Sequence, residues 1–256
     1  MSISFICIFN NKVQLDRMLK HSYDTVLAEI GIGIKTNLLL IDNRDRKYKS
    51  ASNAFNKEIQ KIYGDLGDIL VFIHQDIAFD NVNFWSHLVE EFYMNQNQII
   101  GAAGVNINGK VLSNLKYFEN KSYITEYQID KKEEVLSLDE CCFAIPKELF
   151  LKLYFDENTC DHWHLYGVDL CYCARELYGT IVTVLPDVIY HKERKGGLSV
   201  DRHYLDTLWK VTKKHRKFTD RIYTSCYNIK TNPILATLDI LKYRIRIVAR
   251  KVLKKK

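Results

Sequence analysis

Short apolar runs that stop abruptly at polar groups recur along the first third of the chain. Ile3-Ser4-Phe5-Ile6-Cys7-Ile8-Phe9 gives way to Asn10-Asn11-Lys12, Asn37-Leu38-Leu39-Leu40-Ile41 stops at Asp42-Asn43, and Ile69-Leu70-Val71-Phe72-Ile73 stops at His74-Gln75-Asp76. Runs of this length and composition read as strands buried on both faces, the kind found in parallel α/β sheets. Helical patterns separate them, with apolar residues at Val13, Leu15, Met18, Leu19, Val26 and Leu27, and a second helix expected over 51–63. This alternation predicts a parallel sheet whose polar strand ends, Asn10, Asp42 and Asp76, fall on one edge. Ligands of open α/β sheets bind beyond that edge.

The pattern continues with less regularity. A helix over 84–95 carries Phe84, Leu88, Phe92 and Tyr93 on one side, and 98–105 is strand-like. Residues 106–136 lose the pattern and predict loops with short antiparallel strands. A strand over 138–145 leads into a helix opened by Pro146, a tolerated first-turn position. After Asp161-His162-Trp163-His164-Leu165-Tyr166-Gly167-Val168-Asp169, a helix to Tyr178 and a strand over 181–185 precede His191 and a loop over 192–197. Near the end, Ile234, Leu238, Leu241, Ile245, Val248 and Val252 recur every three or four residues, an amphipathic helix.

Composition narrows the class. With 256 residues, only 3 prolines and 11 glycines, and no internal repeat, the chain fits one α/β domain with an appendage. The apolar opening is too short to span a bilayer and lacks the basic flank of a secretory signal, so a cytoplasmic protein is expected. Seven cysteines, an odd number without zinc-ribbon spacing, fit a reducing compartment in which they act as small buried hydrophobes.

Charge is unevenly placed. Residues 242–256 hold eight Lys or Arg and no acid, so the net +6 of the whole chain leaves −2 for the remainder. That asymmetry speaks against a nucleic-acid-binding core and for an anionic partner touched by one appendage. Two readings of the basic helix are open: it lies on an anionic membrane surface, or its stripe packs on the domain with the charges in water. No feature of the sequence sets an oligomeric state.

Asp76 also has two readings. A carboxylate at a strand end can hold a hard divalent cation that neutralises nucleotide phosphates, or it can cap the turn that follows.

The order of elements resembles the GT-A glycosyltransferases, specifically the family-2-like enzymes of bacterial polysaccharide assembly, over roughly residues 1–195. Leu39-Leu40-Ile41-Asp42-Asn43 looks like the strand whose Asp contacts the nucleoside, and Ala51-Ser52-Asn53-Ala54-Phe55-Asn56 like the following helix start. Residues 69–76 resemble the strand that delivers the D-x-D-type metal motif. Residues 138–150 and Leu165-Tyr166-Gly167-Val168-Asp169-Leu170-Cys171 are similar to the acceptor-side strand and helix, with His191 where the family often has a metal-binding His.

The resemblance implies an α/β fold, a GT-A (Rossmann-like) mixed sheet flanked by helices over 1–195, with a helical C-terminal extension over 196–256. It implies transfer of a sugar from a UDP- or dTDP-sugar to a glycan or lipid-linked acceptor in cell-surface polysaccharide synthesis, inverting and assisted by Mn²⁺ or Mg²⁺. Asp76 and His191 are then the metal ligands, and Asn10, Asp42, Asn53, His74 and Gln75 the donor-binding set.

Two departures stand out. His74 replaces the first acid of the metal motif, and Tyr166-Gly167 stands where inverting members carry the Glu-Asp pair that supplies the general base. A carboxylate or imidazole must still take the acceptor proton. Asp169 is the first candidate, although an Asp opening a helix also reads as a cap; Asp161 and His164 are the substitutes. The missing pair motivates an alternative, a nucleotide-binding or membrane-associated scaffold without turnover. A dinucleotide-binding Rossmann domain is disfavoured, because no glycine-rich loop follows the first strand.

Overall fold

Seven strands form the central sheet in the spatial order β2 (Lys35–Asp42), β1 (Ser2–Phe9), β3 (Ile69–Ile73), β11 (Cys142–Pro146), β5 (Gln98–Gly101), β12 (Ile181–Val184) and β9 (Glu133–Glu134). The computed structural model describes residues 1–27, 34–193 and 200–253, with side chains through Ala249 in the last helix. Strand β1 pairs in parallel with both β2 and β3, and β12 pairs in parallel with β5. Strand β11 runs antiparallel between β3 and β5, and β9 closes the edge antiparallel to β12. The sheet is therefore mixed. Every residue of β3 and β11 is buried, as their unbroken apolar runs require. Strand β2 lies at the open edge and stays half-exposed.

Helices cover both faces. On one lie α1 (Lys12–Leu15) and α2 (His21–Val26), joined by a π-turn over Asp16–Lys20, together with α4 (Asn83–Met94), which drives Phe84, Trp85, Leu88 and Phe92 under β1 and β3. On the other lie α3 (Ala51–Lys61), α5 (Lys147–Leu153) and α6 (Tyr166–Tyr178). There Phe72 sits among the rings of Phe55, Phe143, Phe150 and Phe155, all with centroids 4.9–5.1 Å away. Ser50 caps α3 by accepting from the Asn53 N–H.

Two expected strands divide. The run over 98–105 breaks at Ala102 into β5 and β6 (Ala103–Val105), which belong to different sheets. The run over 138–145 breaks likewise into β10 (Ser137–Leu138) and β11. Strands β10, β6 and β7 (Val111–Ser113) form a side sheet crossing the main one. Close approach at the crossing requires glycine, since a Cβ on Gly104 would come within 2.7 Å of Val135 Cγ2 and 2.8 Å of the Ser137 carbonyl oxygen. A second side sheet joins β4 (Ile77–Ala78), β13 (Tyr190–His191) and β8 (Lys116–Tyr117).

The C-terminal segment comprises α7 (Arg202–His215), the hairpin β14 (Arg221–Tyr223) and β15 (Asn228–Lys230), and α8 (Pro233–Leu253). The sequence suggested a helical extension; its two helices are joined by that hairpin. Leu205, Leu208, Val211, Ile222, Ile229 and Ala236 join the core on the α6 face, so the appendage extends that core. The expected boundary at 195/196, and the 192–197 loop from residue 194 on, lie outside the described residues.

Candidate active site

Three strand ends meet at one edge, as their polar termini predicted. Gln75 Oε1 accepts from the backbone N–H of Asn10 at 3.0 Å and of Asn11 at 2.9 Å, and its amide donates to Asn10 Oδ1 at 2.8 Å. The Asn43 N–H donates to the Phe9 carbonyl at 2.9 Å, which ties in the end of β2. Buried Asn43 also accepts from the Tyr48 N–H at 2.9 Å and folds the following loop tightly, with Arg46 in the left-handed region at φ 54°. Arg44, Arg46 and Lys49 consequently line a cavity of about 860 Å³, with His74, Gln75 and Asp76 at the strand ends and Trp163 and Tyr166 from the α6 side.

Asp42 is bound to Arg44, whose Nε and Nη2 donate to its carboxylate at 3.0 and 2.6 Å. Those hydrogen bonds hold the Asp42 carboxyl below its usual range. Asp42 thus orients an arginine of the cavity wall. Asn53, expected among the donor contacts, does not line the cavity: its amide donates to Glu157 Oε2 at 2.7 Å and locks α3 to the chain before α6. The first-turn position that the sequence singled out faces Glu157.

His74, Asp76 and His191 converge so that their ligand atoms all lie within 4.8 Å of one another. His191 reaches Asp76 because β13 pairs with β4, His191 opposite Ile77, and because the Lys192 N–H donates to the Asp76 carbonyl at 3.0 Å. Its Nδ1 lies 2.8 Å from the Lys192 carbonyl, which can only accept, so the proton sits on Nδ1. Its Nε2 lies 3.8 Å from Asp76 Oδ1. A ring held through Nδ1 by a backbone carbonyl, with Nε2 turned to the carboxylate, is the arrangement of a ligating histidine. His74 Nε2 lies 3.4 Å from the Tyr166 hydroxyl. Two imidazoles and one carboxylate suit a borderline divalent ion, and the donor set fits the expected metal.

The expected base is placed otherwise. Asp169 is 2% exposed, and its oxygens accept from His215 Nε2 and Lys214 Nζ, each at 2.8 Å. It holds α6 to α7 and does not line the cavity, so the structure does not bring this candidate base to the strand ends. Asp161 is paired with Lys210 at 2.6 Å, and His164 lies 3.7 Å from Asp201. They flank Trp163 in sequence without lining the cavity.

Glu140, which sequence reasoning missed, stands at the N-terminus of α6 instead. Burial, with the charge of Asp139, pushes its carboxyl up to about 8, against the pull of the backbone N–H groups of Glu140 itself, Gly167 and Val168. Its Oε1 is buried without a hydrogen-bond partner among the described residues. Gly167 leaves the room: a Cβ there would come within 3.1 Å of Glu140 Cγ. The available signal was the acid pair Asp139-Glu140 inside an otherwise apolar run.

No protein-family model matches the sequence, and no curated protein matches it. Solved structures do match in shape. One is GalNAc-T7 with UDP, GalNAc and Mn²⁺ (TM-score 0.57, 14% identity, 83% of this chain and 48% of that one). Another is the mannosyltransferase PcManGT from Pyrobaculum calidifontis in complex with GDP-Man and Mn²⁺ (TM-score 0.56, 11% identity, 85% of this chain and 64% of that one). This chain therefore spans less than two thirds of each. The seven-stranded mixed sheet and its flanking helices are the GT-A glycosyltransferase fold.

Proposed function

We propose that this chain is a nucleotide-sugar-dependent glycosyltransferase, metal-assisted and inverting, acting on a glycan or lipid-linked acceptor in cell-surface polysaccharide synthesis. The observation that carries the reading is the convergence of His74, Asp76 and His191 beside a cavity walled by Arg44, Arg46 and Lys49. A cation site next to a cationic wall suits a diphosphate. The complexes of the two structural neighbours, one with UDP and one with GDP-Man, each with Mn²⁺, support it. The imidazole-rich donor set favours Mn²⁺ over Mg²⁺, which prefers oxygen ligands. A divalent ion held there would supply Lewis-acid stabilisation of the departing diphosphate.

The chain's own groups do the rest. Arg46 and Lys49 take the phosphate charge, Arg44 is aimed by Asp42, and Trp163 offers a ring face to base or sugar. The acceptor oxygen attacks the anomeric carbon as the bond to the diphosphate oxygen breaks, and the acceptor proton passes to Glu140. Neither carboxylate lines the cavity, and Glu140 is preferred because its Oε1 has no hydrogen-bond partner among the described residues, whereas both Asp169 oxygens are taken by Lys214 and His215. Attack from the face opposite the leaving group inverts the anomeric centre.

Titration calorimetry with UDP-, dTDP- and GDP-sugars, with and without Mn²⁺, tests the reading. Cation-dependent binding of one donor class, lost in Asp76→Ala, is expected. Absence of binding to every donor, or unchanged binding in Asp76→Ala, sinks it. The Tyr166-Gly167 substitution of the usual acid pair favours a second reading, nucleotide binding without turnover. Donor hydrolysis or transfer that disappears in Glu140→Gln excludes that alternative.

A further inference from the structure

Helix α8 has two apolar faces. Ala236, Ile240, Tyr243 and Ile247 pack inward on the core, the Tyr243 ring stacking on Tyr227 at 3.9 Å and its hydroxyl donating to the Asn228 carbonyl at 2.9 Å. On the opposite side Ile234, Leu238, Leu241, Ile245 and Val248 are 54–73% exposed. At 100° per residue these five fall within an arc of about 80°. Lys242 and Arg246 flank that arc on one side and Arg244, which pairs with Asp206 at 2.7 Å, on the other, all exposed. The sequence carries the charge on through Arg250, Lys251, Lys254, Lys255 and Lys256. Beside the start of α8, Phe218, 64% exposed, shares a recess with Leu235, Arg216, Lys217, Arg221 and Lys230, in which Asp220 is the one acid against four cations.

We propose that the outward face of α8 seats this protein on an anionic bilayer, with the aliphatic row among the acyl chains and the flanking cations, with the Arg216–Lys217–Arg221–Lys230 recess, against lipid phosphates. The inward face anchors the helix to the domain, so the outward row is left for a partner. No helix among the described residues is long and apolar enough to cross a membrane, so α8 lies along the surface. Charge decides the occupant. A second copy docking through the same face would bring two sets of Lys242, Arg244 and Arg246 together, which repel, and an aliphatic row offers nothing to a nucleic acid. Anionic headgroups complement the flanks and acyl chains the row. The inference does not depend on the chemistry of the cavity.

Co-sedimentation of the full chain with vesicles tests it, comparing pure phosphatidylcholine with a mixture containing about one third phosphatidylglycerol. Binding to the anionic vesicles, weakening several-fold between about 0.1 and 0.5 M salt, is expected. The exposed-face variant Leu238→Asp/Ile245→Asp should bind at least about tenfold more weakly with an unchanged melting temperature. Lys242→Glu/Arg246→Glu should lose the preference for anionic lipid. Equal binding of wild type to both vesicle types, or unchanged binding of Leu238→Asp/Ile245→Asp, overturns the proposal. So does a concentration-dependent dimer abolished by that variant without any vesicle binding, which assigns the face to a second copy.

Discussion

His191 Nε2 lies 3.8 Å from Asp76 Oδ1, across a strand pairing that puts His191 opposite Ile77. The pairing fixes the backbone and the Lys192 carbonyl holds the ring through Nδ1, so Nε2 is the ring nitrogen left on the Asp76 side for a cation. His191→Ala should weaken Mn²⁺ binding by about 10- to 100-fold, the range seen when a ligand or its supporting contact is lost. Calorimetry with MnCl₂ on EDTA-treated protein reads the loss directly, without a donor. Equal Mn²⁺ affinity in wild type and variant would remove His191 from the site.

Glu140 and Gly167 make a second pair. A carboxyl held near 8 in the fold, against an ordinary 4.5, keeps its proton on folding. The native state is therefore favoured below pH 4.5 and loses that advantage as pH rises towards 8. Glu140→Gln stays neutral throughout, so it should match wild type in acid and exceed it by several kcal/mol, up to about 5, at pH 9. Its turnover should fall by about 10²- to 10⁴-fold, as for a lost general base. Chemical denaturation across pH, beside single-turnover assays, separates the two effects. Near-normal turnover in Glu140→Gln would dismiss it as base.

The three parallel strands and their shared edge were legible because a strand buried on both faces leaves an unbroken apolar run. Strands β8, β9 and β10, two residues each, are too short to show a period of two. The shared polar edge was readable for the same reason: Asn10, Asp42 and Asp76 follow apolar runs closely. The placement of Asp169 was not legible, because an aspartate at a helix start has one sequence signature and several roles. Its deciding partners, Lys214 and His215, come from a distant helix. Asn53 failed through helix phase, since a motif position does not say which side of α3 faces the cavity.

The Asp169 cluster gives a stability prediction. Burial pulls the His215 imidazole down, but hydrogen bonding to Asp169 outweighs it and lifts the group to about 10 from an ordinary 6.5. A raised cation pKa means the stabilisation is full below pH 6.5 and drains away as pH rises through 10. His215→Leu leaves Asp169 with Lys214 as its charged partner, and should cost about 2–4 kcal/mol at pH 6. At pH 10.5 the cost should shrink to roughly the packing difference, within about 1 kcal/mol. Denaturant midpoints at the two pH values check the sign; a cost that grew with pH would contradict the ion-pair account.

Gln75 tests whether the strand-end lattice acts on the donor directly or through geometry. Its side chain accepts from two backbone N–H groups and donates to Asn10, so its hydrogen-bonding atoms are already engaged within the protein. Gln75→Leu would strand the N–H groups of Asn10 and Asn11 at the rim, where water can reach them, so the cost should be about 1–2 kcal/mol. If the lattice positions Asp76, the next residue, Mn²⁺ affinity should drop along with donor affinity. If Gln75 contacts the nucleotide itself, donor affinity falls while Mn²⁺ affinity measured alone stays at the wild-type value. The geometry favours the first outcome, because both bonds accepted by Gln75 Oε1 and one of its two amide N–H groups are engaged with Asn10 and Asn11, which leaves a single N–H for a ligand. Parallel Mn²⁺ and donor titrations of Gln75→Leu and Gln75→Glu decide it: the glutamate keeps the acceptor for both N–H groups and loses only the donation to Asn10, so it should retain more of the wild-type Mn²⁺ affinity than the leucine.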